Sequence, residues 1–216
     1  MNISPLKGDF QNVTMDWAAA WLAAGAATTS GIKLYATILT LGLLQRFHWV
    51  ELPAEWKIFG ATWVLALSGT LCVIEFVADK IPVVDSVWDG IHTFIRVPAG
   101  AVLMASAFTD VGPVSRVLAG LLGGGLALTT HSAKASARLA ANTSPEPFSN
   151  GILSLLEDAL TVFVLGLAAT HPWLAALFVA VVLLICAVVI YTCFKFTRLL
   201  FNKLSRWFGG APATSA

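Results

Sequence analysis

Ionisable side chains are concentrated in two stretches of an otherwise apolar chain. Residues 75–96 and 131–158 hold 11 of its 25 Asp, Glu, Lys and Arg residues. Carboxylates beside imidazoles and cationic side chains can relay protons, bind ions or hold an anionic group. The candidate site residues of the first stretch are Glu75, Asp79, Lys80, Asp85, Asp89, His92 and Arg96. Those of the second stretch are His131, Lys134, Arg138, Asn142, Glu146, Ser149, Asn150, Glu157 and Asp158.

Helical spacing would place many of these side chains on common faces. Residues three, four or seven positions apart lie on the same side of a helix. This spacing defines four sets: Glu75 with Asp79; Asp85 with Asp89, His92 and Arg96; His131 with Lys134 and Arg138; Ser154 with Glu157 and Asp158. We therefore expect four helices that each present a polar stripe.

The rest of the chain predicts helices that cross a membrane. Apolar residues make up 57% of the sequence and charged residues only 12%, whereas soluble domains have about 25% charged residues. So much apolar surface favours a polytopic membrane protein with the lipid bilayer as a partner. The net charge of +1 excludes a large basic surface for nucleic acid. Three cysteines in apolar runs predict neither a disulfide framework nor a zinc site.

Six stretches reach or exceed the ~20 residues that a helix needs to cross a bilayer. They are 15–47, 60–79, 86–109, 114–138, 151–170 and 173–200. The first is too long for one straight span and has Thr28–Gly31 at its middle, so we predict a broken or re-entrant pair, 15–28 and 31–47. The predicted fold class is all-α, a polytopic transmembrane helical bundle with about six spans.

This bundle is predicted to form a single domain, residues 15–208, between an N-terminal tail at 1–14 and a disordered tail at 209–216. Basic residues near the end of the last span predict a cytoplasmic C-terminus. They are Lys195, Arg198, Lys203 and Arg206.

Two polar linkers lie inside the charged stretches. Pro82 is predicted to end the second span, so that Asp85 or Ser86 would cap the third. Between residues 142 and 151, two prolines predict an extended segment, with Ser149 or Asn150 as the cap of the fifth span. Helix N-termini at membrane depth can bind ions or anions. A plain tight loop is the alternative.

The charged stripes are too costly to face lipid. Four acidic side chains at mid-membrane would together cost ~10–14 kcal/mol at about 2.5–3.5 kcal/mol each. We therefore expect the stripes to face one another or a wet cavity, with the acids compensated by Lys80, Arg96, Lys134 and Arg138. A pathway or binding site and a purely structural ion-pair network both fit this pattern.

Two further patterns concern helix packing and symmetry. Gly120 and Gly124 form a GxxxG face that suits close packing within the chain or a homo-oligomer. The strings Ser30–Ile32 and Ser149–Ile152 each follow a polar break and are predicted to open a helix. Units 15–79 and 114–200 would then form an inverted repeat, a common plan among transporters.

Five strings in these stretches resemble a bacterial membrane family known as domain of unknown function 4126. They are SGIKLY at 30–35, EFVADKIPVVDSVWD at 75–89, HTFIR at 92–96, HSAK at 131–134 and NTSPEPFSN at 142–150. The likeness covers roughly residues 25 to 190. It implies a multi-pass protein of the bacterial inner (cytoplasmic) membrane and assigns no activity, substrate or cofactor.

Our leading hypothesis is a small transporter or channel for an ion or small polar solute. Asp89 and His92 would form its proton- or ion-linked pair, facing Glu157 and Asp158. The cations Arg96, Lys134 and Arg138 would hold an anionic group or neutralise the acids.

Two alternatives remain open at this stage. In an intramembrane enzyme acting on a lipid phosphate, Glu75, Asp79, Asp85 and Asp89 would hold a divalent cation, with His92 or His131 as acid or base. The sequence contains no complete HExxH, DGxxAR or GxSxG motif. A non-catalytic membrane scaffold would use the charges for structure alone.

Overall fold

A computed structural model describes residues 17–142 and 147–208. In these residues the chain forms seven α-helices and no strand. The helices are α1 (Trp17–Ile32), α2 (Leu34–Arg46), α3 (Thr62–Ala78), α4 (Pro82–Ser106), α5 (Pro113–Asn142), α6 (Pro147–Thr170) and α7 (Pro172–Phe208). Short 3-10 segments, Ala54–Gly60 and Thr109–Val111, precede α3 and α5. The all-α class is confirmed, and the predicted tails lie outside the described residues.

Helix α1 lies at the centre of the bundle. Every residue from Leu22 to Ile32 is buried, and the helix packs against α4, α5, α6 and α7. Its alanines, glycines and short hydroxyl side chains allow neighbours to approach from all sides. An apolar core surrounds its first half, with Leu41, Trp56, Leu103 and Leu165 among its members.

The predicted break in the first apolar stretch occurs later than expected, at Lys33. Thr28, Thr29 and Ser30 remain helical because their hydroxyls donate to carbonyls three or four residues earlier, at 2.7–3.2 Å. Lys33 leaves the helical region with φ −144° and ψ 85°. The predicted boundary at residues 28–31 was therefore wrong, and Ser30–Ile32 ends a helix rather than opening one.

The prolines of the polar linkers begin helices. Pro82 is the first residue of α4, with Ile81 at the N-cap position, because proline suits the first turn, where its missing N–H is not needed. The prediction that Asp85 or Ser86 caps this helix was wrong, since Asp85 lies within the first turn. Helix α6 is described from Pro147, so its predicted caps Ser149 and Asn150 lie inside the helix.

Glycines bring α4 and α5 into close contact. A Cβ atom added to Gly123 would lie 2.4 Å from the carbonyl oxygen of Gly100. Gly120 and Gly124 also face α4, where added Cβ atoms would lie 3.4–3.6 Å from Ala101 and neighbouring atoms. The GxxxG face is thus used for packing inside the chain. A homo-oligomer stays a prediction that needs another surface.

The outer surface of the described helices is strongly apolar. Exposed side chains include Phe94 on α4, Leu121 on α5, Leu156 on α6, and Leu177 and Leu184 on α7. Two segments are long and apolar enough to cross a membrane, Asn150–Thr170 and Pro172–Leu199. A third is added if Ala54–Gly60 and Thr62–Ala78, bent by 69° to each other, form one span. Glycines, hydroxyls and charges dilute the apolar character of the other helices, so six spans and the inverted repeat stay predictions.

Candidate functional site

Ten ionisable side chains meet inside the bundle, near the junction of α1 and α2. They come from that junction and from α3, α4, α5 and α6, and most are 0–9% exposed. We call this set the charge network. Its members are Lys33, Glu75, Asp79, Asp85, Asp89, Arg96, Lys134, Arg138, Glu157 and Asp158.

Arg96 joins α3 to α4. Its guanidinium pairs with Glu75 at the end of α3. It also pairs with Asp89, about two helical turns earlier on α4, at a distance of 2.8 Å. It also donates to Nδ1 of His131 on α5, at 3.0 Å. The planar guanidinium can reach three acceptors at once, so one residue fixes the relative position of three helices.

Lys134 occupies the middle of the network. Its Nζ lies 3.4 Å from Asp89, 3.5 Å from Glu157, 3.8 Å from Asp79 and 3.9 Å from Glu75. It donates a hydrogen bond to the carbonyl of Ile32, at 3.3 Å. Because this compact ammonium lies close to no single carboxylate, its charge is shared among the acidic side chains of three helices.

Arg138 pairs with Glu157 through two hydrogen bonds, at 2.9 and 3.3 Å. Its other contacts are with Asp79, at 3.3 Å, and with Asp85, at 3.8 Å. It also donates to the backbone carbonyls of Asp79 and Asn150. Arg138 therefore ties α5 to both the α3–α4 linker and α6.

Lys33 belongs to the network but was not among the predicted site residues. Its Nζ pairs with Asp79 and lies 3.6 Å from Asp158 and 3.9 Å from Glu157. Ser154, which also contacts Lys33, donates to Asp79 at 2.9 Å. A single lysine in the middle of a long apolar stretch was the available signal, because such a charge needs buried partners.

Both histidines in the network region bridge hydrogen-bonding partners. Nδ1 of His92 lies 2.7 Å from the carbonyl of Trp88, so it must donate, and Nε2 lies 2.9 Å from the hydroxyl of Tyr35. His131 accepts from Arg96 at Nδ1, so its Nε2 donates to Thr93, at 2.7 Å. All four ring nitrogens are thereby engaged.

Besides the two histidines, five predicted site residues are not among the members of the charge network. Lys80 is exposed, and its Nζ lies 4.0 Å from the centre of the Phe76 ring. The side chains of Asn142 and Ser149 and the whole of Glu146 lie outside the described part of the structure. Asn150 is buried, and its carbonyl contacts Arg138.

The network carries more negative than positive formal charge. Six carboxylates and four cations leave a formal charge of −2 when both histidines are neutral. The two least compensated carboxylates are Asp85, whose single ion pair is 3.8 Å long, and Asp158, which is 27% exposed. A pocket of about 180 Å³ adjoins the network, and Asp85, Asp89, Thr93, His131 and Arg138 are among its lining residues.

A second pocket, of about 410 Å³, lies at the opposite end of α1. Ala18 and Leu22 of α1, Glu51 and Glu55 before α3, and Thr109 after α4 contribute to its lining. Ala18 and Ile32 are separated by about 21 Å of helix at 1.5 Å per residue.

The described residues contain no group of three or more His, Cys, Asp and Glu side chains arranged to hold a metal ion.

An apolar exterior around buried charges defines the class of this molecule as an all-helical membrane protein, in which two apolar helices could span a bilayer. The chain belongs to the family described as Domain of unknown function (DUF4126), which matches residues 20–192. No curated protein and no solved structure matches it.

Proposed function

We propose that this protein is a small membrane transporter or channel for an ion or small polar solute. The observation that carries the proposal is the charge network, ten ionisable side chains enclosed by helices whose outer faces are apolar. Burying charge costs several kcal/mol per ion even after relaxation. A bundle that needed only fixed helix register could use far fewer polar groups.

The incomplete pairing of the network favours a route for solute over a purely structural role. A structural network is expected to pair each acid closely, because a buried unpaired charge is strongly destabilising. Here Asp85 and Asp158 are poorly compensated, and Lys134 is shared among four carboxylates at 3.4–3.9 Å. Such a set can exchange partners as a charged species passes.

The two pockets suggest the ends of the proposed route. The larger pocket lies near the start of α1, and the smaller one adjoins the network near its end. Between them, Gly31, Gly100 and Gly123 bring α1, α4 and α5 into backbone contact. We assign this arrangement to a closed conformation, and movement of α4 against α5 would open it.

The finer topology is part of the same proposal. Six crossings, with α1 and α2 as the broken first segment, would place the C-terminus in the cytoplasm of a bacterial cell. Exposed Lys195 and Arg198 near the end of the α7 span support that orientation. The charge network would then lie towards the cytoplasmic side and the larger pocket towards the outside.

Flux through proteoliposomes tests the proposal. Protein reconstituted in vesicles would be given a gradient of protons, Na⁺ or K⁺, with a dye inside the vesicles that responds to the ion under test. We expect wild type to dissipate at least one gradient faster than empty vesicles, and Asp89→Asn and Glu157→Gln to slow it. The exposed Lys80→Gln is the matched control and should keep wild-type flux.

Two results would contradict the proposal. One is a wild type that is no faster than empty vesicles for all three ions, because the formal charge of −2 on the network favours a cation as the solute. The other is full flux in Asp89→Asn, which would favour the scaffold. Size-exclusion profiles and helix content must match those of wild type, so that loss of flux is not loss of fold.

A further inference from the structure

Asp85 is the one fully buried carboxylate of the network that has no close cation. Its side chain is 0% exposed, yet neither of its oxygens has a hydrogen-bond partner among the described residues. The single ion pair, to Arg138, is 3.8 Å long. In proteins generally, buried polar atoms are nearly always hydrogen-bonded, and an unmet acceptor in a charged group is especially costly. The described residues therefore leave both carboxylate oxygens of Asp85 without a hydrogen-bond donor.

The open acceptors of Asp85 coincide with the small pocket beside the network. Asp85 and Asp89 lie one helical turn apart on α4 and both line the pocket of about 180 Å³. Oδ2 of Asp89 also lacks a hydrogen-bond partner among the described residues. Three carboxylate oxygens with unused lone pairs are thus available on one face of α4.

The charges around the pocket determine which kind of ligand fits. Asp85 and Asp89 are negative, Arg138 is positive and His131 is neutral, so the lining carries a formal charge of −1. Beyond the lining, the negative Asp79, just after α3, and the positive Lys134 of α5 also interact electrostatically with Asp85. Asp89 already pairs with Arg96 and Lys134, and Arg138 pairs with Glu157 through two hydrogen bonds. Asp85 is therefore the lining carboxylate that still lacks one positive charge.

We infer that this pocket binds one small monovalent cation, with Asp85 as its main ligand and Asp89 as its second. A volume of about 180 Å³ also accommodates several waters, which would supply the remaining ligands. The cation is an alkali-metal ion or a proton, both of which meet the same carboxylate chemistry. The inference rests on the proposed function and names its substrate or coupling ion.

The site is tested by the binding of radioactive sodium and potassium to protein in detergent, measured by equilibrium dialysis. N-methylglucamine serves as the replacement cation, so that the ionic strength stays constant. Substituting a residue that only hydrogen-bonds to a metal ligand lowers metal affinity by about 10–100-fold. Removing the charge of the main ligand, in Asp85→Asn, should therefore weaken cation binding at least about tenfold. Lys80→Gln, a charge change on an exposed residue five positions away, should bind as wild type does.

Infrared difference spectroscopy supplies the proton arm. If the natural occupant is a proton, neither alkali ion binds, and wild type shows a protonated-carboxyl band that raising the pH removes and that Asp85→Asn lacks. If it is an alkali ion, dialysis detects it and acid displaces it. Either result supports the site and assigns its source. The absence of both alkali binding and a band that depends on Asp85 would overturn it.

Two further comparisons keep the test decisive. Should Asp85→Asn fail to fold, Asp85→Glu keeps the charge and lengthens the side chain, so altered ion affinity in that variant supports the site and unchanged affinity contradicts it. Cation binding without flux in proteoliposomes would contradict the proposed transport and leave the site standing. Flux that Asp85→Asn leaves unchanged would contradict the assignment of the bound cation as substrate or coupling ion and leave the proposed transport standing.

Discussion

Lys134 holds a single positive charge within 4 Å of carboxylates from α3, α4 and α6. None of these distances is below 3.4 Å, so the ammonium is not bound closely to any one carboxylate. Arginine could not take this role, because its planar guanidinium favours fixed, bidentate pairs. A lysine at this position keeps three helices together and still allows the local pairing to change.

Replacing Lys134 by Gln should therefore be costly. The formal charge of the network would fall from −2 to −3, and removal of one member of a buried ion pair costs about 3–5 kcal/mol. Thermal unfolding in detergent should show this loss, whereas the exposed Lys80→Gln should stay within about 0.5 kcal/mol of wild type. Lowering the pH should reduce the difference in stability between Lys134→Gln and wild type, because protonating a carboxylate removes uncompensated negative charge. Equal stability of the two variants would contradict a central role for Lys134.

Helical periodicity was sufficient to predict which residues share the polar faces. The sets containing Asp85, His131 and Glu157 converge inside the bundle, as their spacing indicates. Periodicity could not separate Lys80 from the network, because its position just after α3 lets its long side chain turn outwards over Phe76. Nor could spacing find Lys33, whose partners lie at least 46 residues away in the chain.

At the scale of the helices, the sequence located the elements well and their ends less well. Apolar length predicts the ends of α3 through α6 and the start of α7 within four residues, whereas α7 continues eight residues beyond the predicted end at 200. The polar run at Thr28–Ser30 looked like a break, but each hydroxyl bonds within its own helix. The actual break at Lys33 follows from tertiary contacts, since the ammonium must reach Asp79 and Asp158. Such contacts are absent from any local pattern.

Close packing of α4 against α5 makes a second prediction. In Gly123→Ala, the new Cβ would lie 2.4 Å from both the Gly100 oxygen and Met104 Cβ, so the helices must separate. We expect a loss on the order of 1–3 kcal/mol, the usual cost of overpacking. Gly125→Ala meets open space and should be neutral or gain about 0.5–1 kcal/mol from helix propensity. Melting temperatures of the two variants test this, and a Gly123→Ala as stable as Gly125→Ala would refute it.

The whole molecule inverts the usual distribution of polarity in a soluble domain. Arg96, Arg138 and Lys33 are among its largest fully buried side chains, whereas many Leu, Ile, Val and Phe side chains are exposed. In water this arrangement would be unfavourable on both counts, because apolar surface would stay wet and charges would be desolvated. In a bilayer the apolar exterior meets lipid, and the charges must be gathered at the centre.

An arginine on the outer face of α7 tests that environment directly. Leu184 is 66% exposed and lies near the middle of the candidate span Pro172–Leu199. If lipid surrounds it, Leu184→Arg should cost about 2.5–3.5 kcal/mol and reduce the membrane-inserted yield. Leu199→Arg, at the end of the same span, should cost much less because its side chain can extend to the interface. A helix exposed to water would tolerate both changes within about 0.5 kcal/mol. Equal yields and melting temperatures for the two variants would therefore place this face of α7 outside the bilayer.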